Sequence, residues 1–290
     1  IALEYNRVLT AFERRTESLQ LLRRTAAAAN ESSTVEDALT VALDEVCRFT
    51  NWPIGHAFLV NRDDPGELIS TGIWRMSDEE RYGSFRAATE DEPFPAGRGL
   101  PGVALETRRP VFASRDDLLG DPADSAKLTA VKLEPGGGRT TSQVVPLQGL
   151  RGARAAEWLE LGLRAGLAVP VMAGSTAVGV LEFFADEPLS ADAELLELLL
   201  SVGTQLGRVV ERQRSEEARL RALIDNMPAN VYLRDLDGRF ILVNRQYEDF
   251  WLLPPDSVQG KTLFEVAALT EVDLTPELNA GADRVVLATS

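Results

Sequence analysis

A single cysteine in 290 residues, Cys47, leaves this chain no internal disulfide and no multi-cysteine metal site. That scarcity fits a reducing, cytoplasmic compartment. The single histidine, His56, likewise removes any two-histidine catalytic pair and any multi-histidine metal centre. Positive charge is in short supply too: 30 Lys and Arg face 45 Asp and Glu, for a net charge of −15. The chain therefore lacks the basic face that a nucleic-acid partner requires, and the short pairs Arg14-Arg15 and Arg23-Arg24 read as solvated helix surface. No apolar run approaches the roughly 20 residues that span a bilayer, and no signal peptide is visible. The first residue is Ile1 rather than Met, so the chain reads as a piece of a longer polypeptide whose output domain lies outside it.

What is present is enough for about two domains at roughly 150 residues each. Two stretches carry a seven-residue apolar repeat. The first, Ala2 to Asn30, spaces Tyr5, Phe12, Leu19 and Ala26 by seven, and Ser33 or Thr34 can cap the helix that follows, with Val35, Ala38, Leu39, Ala42, Leu43 and Val46 as its apolar positions. The second, Ser190 to Ile224, puts Leu195, Val202 and Val209 on one register and Leu199 and Leu206 on its companion. Gln213 and Glu216 interrupt that seam, and Gly203 and Gly207 each cost it about 1 kcal/mol. Two readings of the seam stand: a parallel homodimer through the N-terminal and connecting helices, with Leu195, Leu199, Val202, Leu206 and Val209 at the interface, or an apolar stripe satisfied within its own domain.

Between the two helical stretches the pattern turns to strands. Ile54 to Val60, a turn at Asn61 to Gly66 and Leu68 to Trp74 read as one hairpin, Pro110 to Phe112 as a short strand, and Leu167 to Met172 with Ala177 to Phe184 as a second hairpin. The runs Leu43 to Ala57, Gly97-Arg98-Gly99-Leu100-Pro101-Gly102 with Arg109-Pro110-Val111, and Gly166 to Val171 with Gly179 to Phe184 together resemble a GAF domain, over about residues 34 to 212. The resemblance implies an antiparallel sheet backed by terminal helices that often dimerise, a small-molecule pocket on the opposite face, and a regulatory role of the kind found in bacterial sensor kinases and cyclic-nucleotide signalling proteins.

A second resemblance follows. Leu223 to Asp235, the turn Leu236-Asp237-Gly238, Arg239 to Asn244, Tyr247 to Trp251 and Gly260 to Glu265 are similar to the start of a PAS domain. The residues themselves read as a hairpin with an Asp-Gly turn and a helix capped by Asn244. A helical pattern runs from Pro276 to Thr289, and the family's three closing strands are absent. The expected class is thus α+β: residues 1–33 a heptad helix, 34–190 an antiparallel GAF sheet flanked by long helices, 191–224 a coiled-coil-like signalling helix, and 225–290 an incomplete PAS domain. Without closing strands, Tyr232, Phe240, Leu242 and Phe250 are expected to have little to pack against.

The chemistry-bearing motifs narrow the function. Gly97 to Gly102 has the GxGxxG spacing, but an acidic loop precedes it where a dinucleotide fingerprint needs a strand, so it reads as a turn into a helix with Pro101 at its first position. Cys47, among Leu43, Val46 and Phe49, reads as a small buried hydrophobe. Against the family's cofactor-bearing members, Phe112 to Leu118 lacks the Asp-Ile-Pro stretch of bilin binders, and Ala185 to Leu189 lacks the cyclic-nucleotide signature. Asn244-Arg245-Gln246-Tyr247 lacks the flavin-reactive Cys, and no histidine beyond His56 could hold a haem. No cofactor is expected, although non-covalent flavin stays open. Asp121 to Gly152, with its glycine run Gly136 to Gly138, reads as a flexible lid or disordered insertion. The expected ligand site draws on His56, Phe58, Trp74, Phe85, Phe94 and Phe112, for an unknown small molecule. His56 itself reads first as a hydrogen-bonded structural residue and second as a ligand contact. The fragment is expected to be non-catalytic, a sensory input to a kinase or cyclase, with a ligand-free dimerisation scaffold as the rival.

Overall fold

The computed structural model describes residues 2–90, 93–119, 127–133, 140–146, 153–189, 192–255 and 257–268. Two compact units divide the chain, Ile1–Gln213 and Arg214–Ser290, and the division falls inside a continuous helix.

The first unit begins with α1 (Ala2–Glu31) and α2 (Val35–Thr50). Thr34 caps α2 by accepting from the Asp37 N–H at 3.2 Å, and Val35, Ala38, Leu39, Ala42, Leu43 and Val46 are all buried at helical spacing. There follow β1 (Ile54–Val60), β2 (Glu67–Met76), α3 (Glu79–Glu90), β3 (Phe94–Pro95), α4 (Gly99–Thr107), β4 (Val111–Ser114) and α5 (Arg115–Leu119). Next come β5 (Lys127–Leu133), β6 (Thr140–Pro146), α6 (Ala153–Glu160), β7 (Ala165–Ala173), β8 (Thr176–Ala185) and α7 (Ala193–Asp225). The strands form one antiparallel sheet in the order β3-β2-β1-β8-β7-β4-β5-β6.

Both faces of this sheet are covered, so its central strands are apolar on both sides. Along β8, Leu181, Phe183 and Ala185 point to a core shared with α1, α2 and α7, while Val180 and Phe184 point to a second core with α3, α4 and α6. Pro101 stands at the third position of α4 rather than the first, because the helix already starts at Gly99. Gly102 lets that helix approach β3: a Cβ there would lie 2.2 Å from the Pro95 carbonyl oxygen.

The stretch expected to be a flexible lid or disordered insertion instead extends the sheet. β5 pairs with β6 from Lys127↔Pro146 to Leu133↔Thr140 and joins β4 at Val111↔Ala130, with Leu128, Ala130 and Val131 buried. Its glycine run, Gly136 to Gly138, lies outside the described residues.

A second correction concerns α7. Leu199, Val202, Leu206 and Val209 are buried inside their own chain, and Leu195 packs against the same core. They serve the helix–sheet interface rather than a dimer seam. Gly203 and Gly207 explain why: a Cβ at these positions would sit 2.6 Å from the Pro170 carbonyl oxygen and 2.0 Å from that of Met172. Only glycine lets α7 lie this close to β7. Gln213, which interrupts the heptads, accepts from the first N–H of α2, at Val35, at 3.1 Å.

The second unit holds β9 (Tyr232–Arg234), β10 (Phe240–Val243), α8 (Arg245–Phe250) and α9 (Leu263–Ala267). Asn244 caps α8 through the Tyr247 N–H and, fully buried, also bonds the Ile224 and Ala229 carbonyls and the Val231 N–H. Phe240 is buried against Tyr232 and Tyr247, with ring centres 6.1 and 5.7 Å away, in a small core completed by Val243, Leu253, Val258, Leu263 and Val266. The expectation that Phe240 has little to pack against is therefore corrected. Phe250 does remain exposed and Leu242 half-buried. The helical pattern at 276–289 lies outside the described residues.

Candidate functional site

Polar side chains are rare in the two cores of the first unit, and four of them gather on one face of the sheet. The period of two along β1 sends Ile54, His56, Phe58 and Val60 to that face. In register, His56 lies opposite Trp74 on β2 and opposite Glu182 on β8. Above them, α3 brings Phe85 and Thr89, β3 brings Phe94, and α6 brings Arg154.

Local geometry fixes each group. Strand β2 carries an irregularity between its pairings to His56 and Phe58, where Gly72 takes a φ of 69° that L side chains rarely adopt. Thr71 Oγ1 donates to the Ala57 carbonyl at 2.7 Å, and the Gly72 N–H donates to Ser70 Oγ at 3.1 Å. This bend sets Ser70 Oγ 2.9 Å from His56 Nε2 and lays Trp74 flat on the imidazole, 3.7 Å between ring centres and 9° from parallel. Phe58 meets the imidazole edge-on at 4.3 Å, and Trp74 Nε1 donates to Glu90 at 2.9 Å. Helix α6 is anchored by Trp158, whose indole N–H donates to the Leu163 carbonyl at 3.0 Å. Its ring fills the notch left by Gly166, where a Cβ would lie 2.6 Å from the indole.

Arg154, one turn before Trp158, is thereby held over the sheet. Its guanidinium pairs with Glu182 through Nη2 and donates from Nε to Thr89 Oγ1 at 3.0 Å. Thr89 Oγ1 in turn donates to the Phe85 carbonyl at 2.8 Å. Burial pushes the Glu182 carboxyl above its ordinary value, with Arg154 pulling against that shift. Burial also holds His56 well below its ordinary value, and the charges of Arg154 and Arg86 act in the same direction. The imidazole is therefore neutral at physiological pH. Glu182 Oε1 and His56 Nδ1 are buried without a hydrogen-bond partner.

The structure thus brings together five of the six expected ligand-site residues, His56, Phe58, Trp74, Phe85 and Phe94, in one buried aromatic cluster, the walls of the chamber proposed for a ligand. Phe112 is the exception. It packs with the core under α1, α2 and α7, because the β4 register turns Val111 and Ala113 to the chamber side instead. Glu182, Arg154, Thr89 and Ser70 were missed. Glu182 was discoverable, as the one charge in the apolar run Ala177 to Phe184. Arg154 had no such signal. Cys47 lies on the other side of the sheet, its thiol pushed up to about 12 by burial, and takes no part. A separate open cleft of about 340 Å³, lined by Phe49, Trp52, Leu195, Glu17, Asp192 and Glu194 among others, lies beside the helices. Among the described residues of the first unit, the buried unpartnered polar atoms belong to His56 and Glu182, not to that cleft.

A family model described as a GAF domain matches residues 32–211, and one described as a PAS fold matches residues 224–289. The virulence sensor protein BvgS of Bordetella pertussis is 33% identical over 78 residues, covering 25% of this chain and 6% of that protein. The match thus spans a small fraction of that relative's length. Among solved structures, the phycoerythrobilin-bound GAF domain of a cyanobacterial phytochrome has a TM-score of 0.48 at 14% identity, covering 70% of this chain and 99% of that one. The GAF domain of an Acinetobacter phosphoenolpyruvate-protein phosphotransferase has a TM-score of 0.45 at 16% identity, covering 68% and 94%.

Proposed function

We propose a function from the premise that this chain belongs to the GAF domain family over residues 32–211, with a PAS fold following it. Such domains are regulatory rather than catalytic. The chain is the input module of a signal-transduction protein: a small molecule binds in the chamber between the sheet and α3, α4 and α6, and occupancy is relayed through α7. One observation carries this reading. Two polar groups, Glu182 Oε1 and His56 Nδ1, are buried and unpartnered against aromatic walls, a costly arrangement in a core and a useful one in a binding site.

The relay follows from packing. Strand β8 carries Glu182, its neighbour β7 lies under α7, and the contact is backbone against glycine at Gly203 and Gly207. With no side chain to cushion it, a shift of β7 moves the helix. Helix α7 then continues without a break to Asp225. The output is a kinase or cyclase domain elsewhere in the polypeptide, working in the cytoplasm. The protein acts as a parallel homodimer, through apolar residues that the fold leaves exposed: Phe12 and Leu19 on α1, 69% and 61% exposed, and Leu220 and Leu223 on α7, 51% and 56% exposed.

Native mass spectrometry on protein purified from its own host tests the sensory reading. Retained ligand mass, lost on substituting His56 and Trp74, is the expected result. One observation favours the rival, a ligand-free dimerisation scaffold: Arg154 already neutralises Glu182 within the chamber. A dimer with no retained mass and no response to any small molecule would support it.

A further inference from the structure

Arg154 occupies the chamber as a ligand's cation would. Its guanidinium carbon lies 4.8 Å from the ring centre of Phe94, 5.3 Å from Phe85 and 5.4 Å from Phe184. Glu182 closes the cage with its carboxylate. Three aromatic faces and a carboxylate around one planar cation form a recognition site for organic cations. Beside the cation, Glu182 Oε1 and His56 Nδ1 have no partner, and the two residues face each other across the β1–β8 register. Cross-strand pairing of this kind sets the side chains about 5 Å apart, within reach of one small group.

The charge balance decides the ligand class. The positive charge in the cage, Arg154, is matched by Glu182, the second cation acting on His56, Arg86, is matched by Glu90, and His56 is neutral, so a bound carboxylate or phosphate would face a buried carboxylate with no cation to spare. A group bearing N–H donors would instead satisfy Glu182 Oε1. We propose that this chamber binds a small molecule through an amidinium or guanidinium group, and that Arg154 is the intramolecular occupant which that group displaces. The proposal rests on reading the chamber as the sensory site. Trp158 keeps α6 in place, so only the Arg154 side chain has to swing out. Its departure releases Thr89 on α3 and leaves Glu182 on β8 to the ligand, which is how occupancy reaches the sheet.

His56 is the only histidine in the chain, so its ring proton signals in NMR report this chamber alone. The probes are benzamidinium and benzoate, alike in shape and opposite in charge, titrated into the full chain. Benzamidinium should shift the His56 signals saturably and benzoate should leave them in place. Removing the competitor in R154M should tighten benzamidinium by about tenfold or more, since apparent affinity scales with the fraction of open sites. In R154M/E182M, where both charges are replaced together and the core stays apolar, the shift should vanish. The proposal is overturned if benzoate binds as well as benzamidinium, if benzamidinium leaves His56 unmoved in the wild-type chain, or if the double variant still responds. Should R154M not fold, the wild-type chain and the double variant decide. A natural anion retained in the chamber would overturn the cation proposal and leave the sensory reading standing. Benzamidinium binding with no change in α7 hydrogen exchange would do the reverse.

Discussion

His56 and the Arg154–Glu182 pair make opposite and separable demands on stability. Because the native chain holds His56 neutral below its ordinary 6.5, the unfolded chain binds one more proton below that pH. Stability therefore falls as pH drops beneath 6.5, by about 1.4 kcal/mol per unit until the native pKa is reached. Glu182 works in the other sense: its raised pKa makes stability fall as pH rises from the ordinary 4.5 toward its native value. Comparing the wild type with H56Q in urea melts across this range isolates the histidine, and the slope difference between them should disappear above pH 7. For the ion pair, removing one partner strands a buried charge. E182A or R154A should cost about 3–5 kcal/mol, whereas R154M/E182M should lie much closer to wild type. Equal losses in all three variants would show that packing, not charge, holds α6 down.

Helices and strands here are joined by close backbone approaches as much as by side chains. Gly207 is the sharpest case, since an added methyl would lie 2.0 Å from Met172 O, 2.3 Å from Met172 C and 2.9 Å from Ala173 N. Alanine raises helix propensity by about 1 kcal/mol in an exposed helix, yet G207A should destabilise the first unit by about 1–3 kcal/mol through overpacking. G203A should do less, its contact being 2.6 Å. If thermal melts show either variant more stable than wild type, α7 is not seated on β7 as described. The same substitutions should weaken the relay more than ligand binding, because they lie on the face of the sheet opposite the chamber.

The proposed dimer rests on the apolar residues that the fold leaves exposed. L206E places a charge in the helix–sheet core and should unfold the first unit, with loss of its near-ultraviolet circular dichroism. L19E and L220E alter exposed positions and should leave that signal intact while sedimentation shifts from dimer to monomer. A folded L206E monomer would restore the α7 seam to the dimer interface. An L19E/L220E pair that still sediments as a dimer would remove the exposed stripes from it.

Local chemistry was legible in the chain because it acts over a few residues. The α2 cap and stripe, the alternation that turns His56, Phe58 and Val60 to one face, the β7–β8 hairpin and the Asn244 cap all depend on spacings of two to four, and family-specific motifs supplied the order of elements. The chain also carried clues whose meaning was not local. A heptad stripe states that a helix buries one side, but not against what. The two glycines that looked like a cost to a coiled coil are what let α7 rest on a sheet of its own chain. Phe112 went to the wrong core because one residue of strand register exchanges the two faces. Arg154 could not be placed at all: 28 residues separate it from Glu182 and 65 from Thr89, and only the tertiary fold sets their side chains in contact. Once the fold excludes water from this cluster, an ion pair and a neutral histidine that would be unremarkable in solution set its electrostatics.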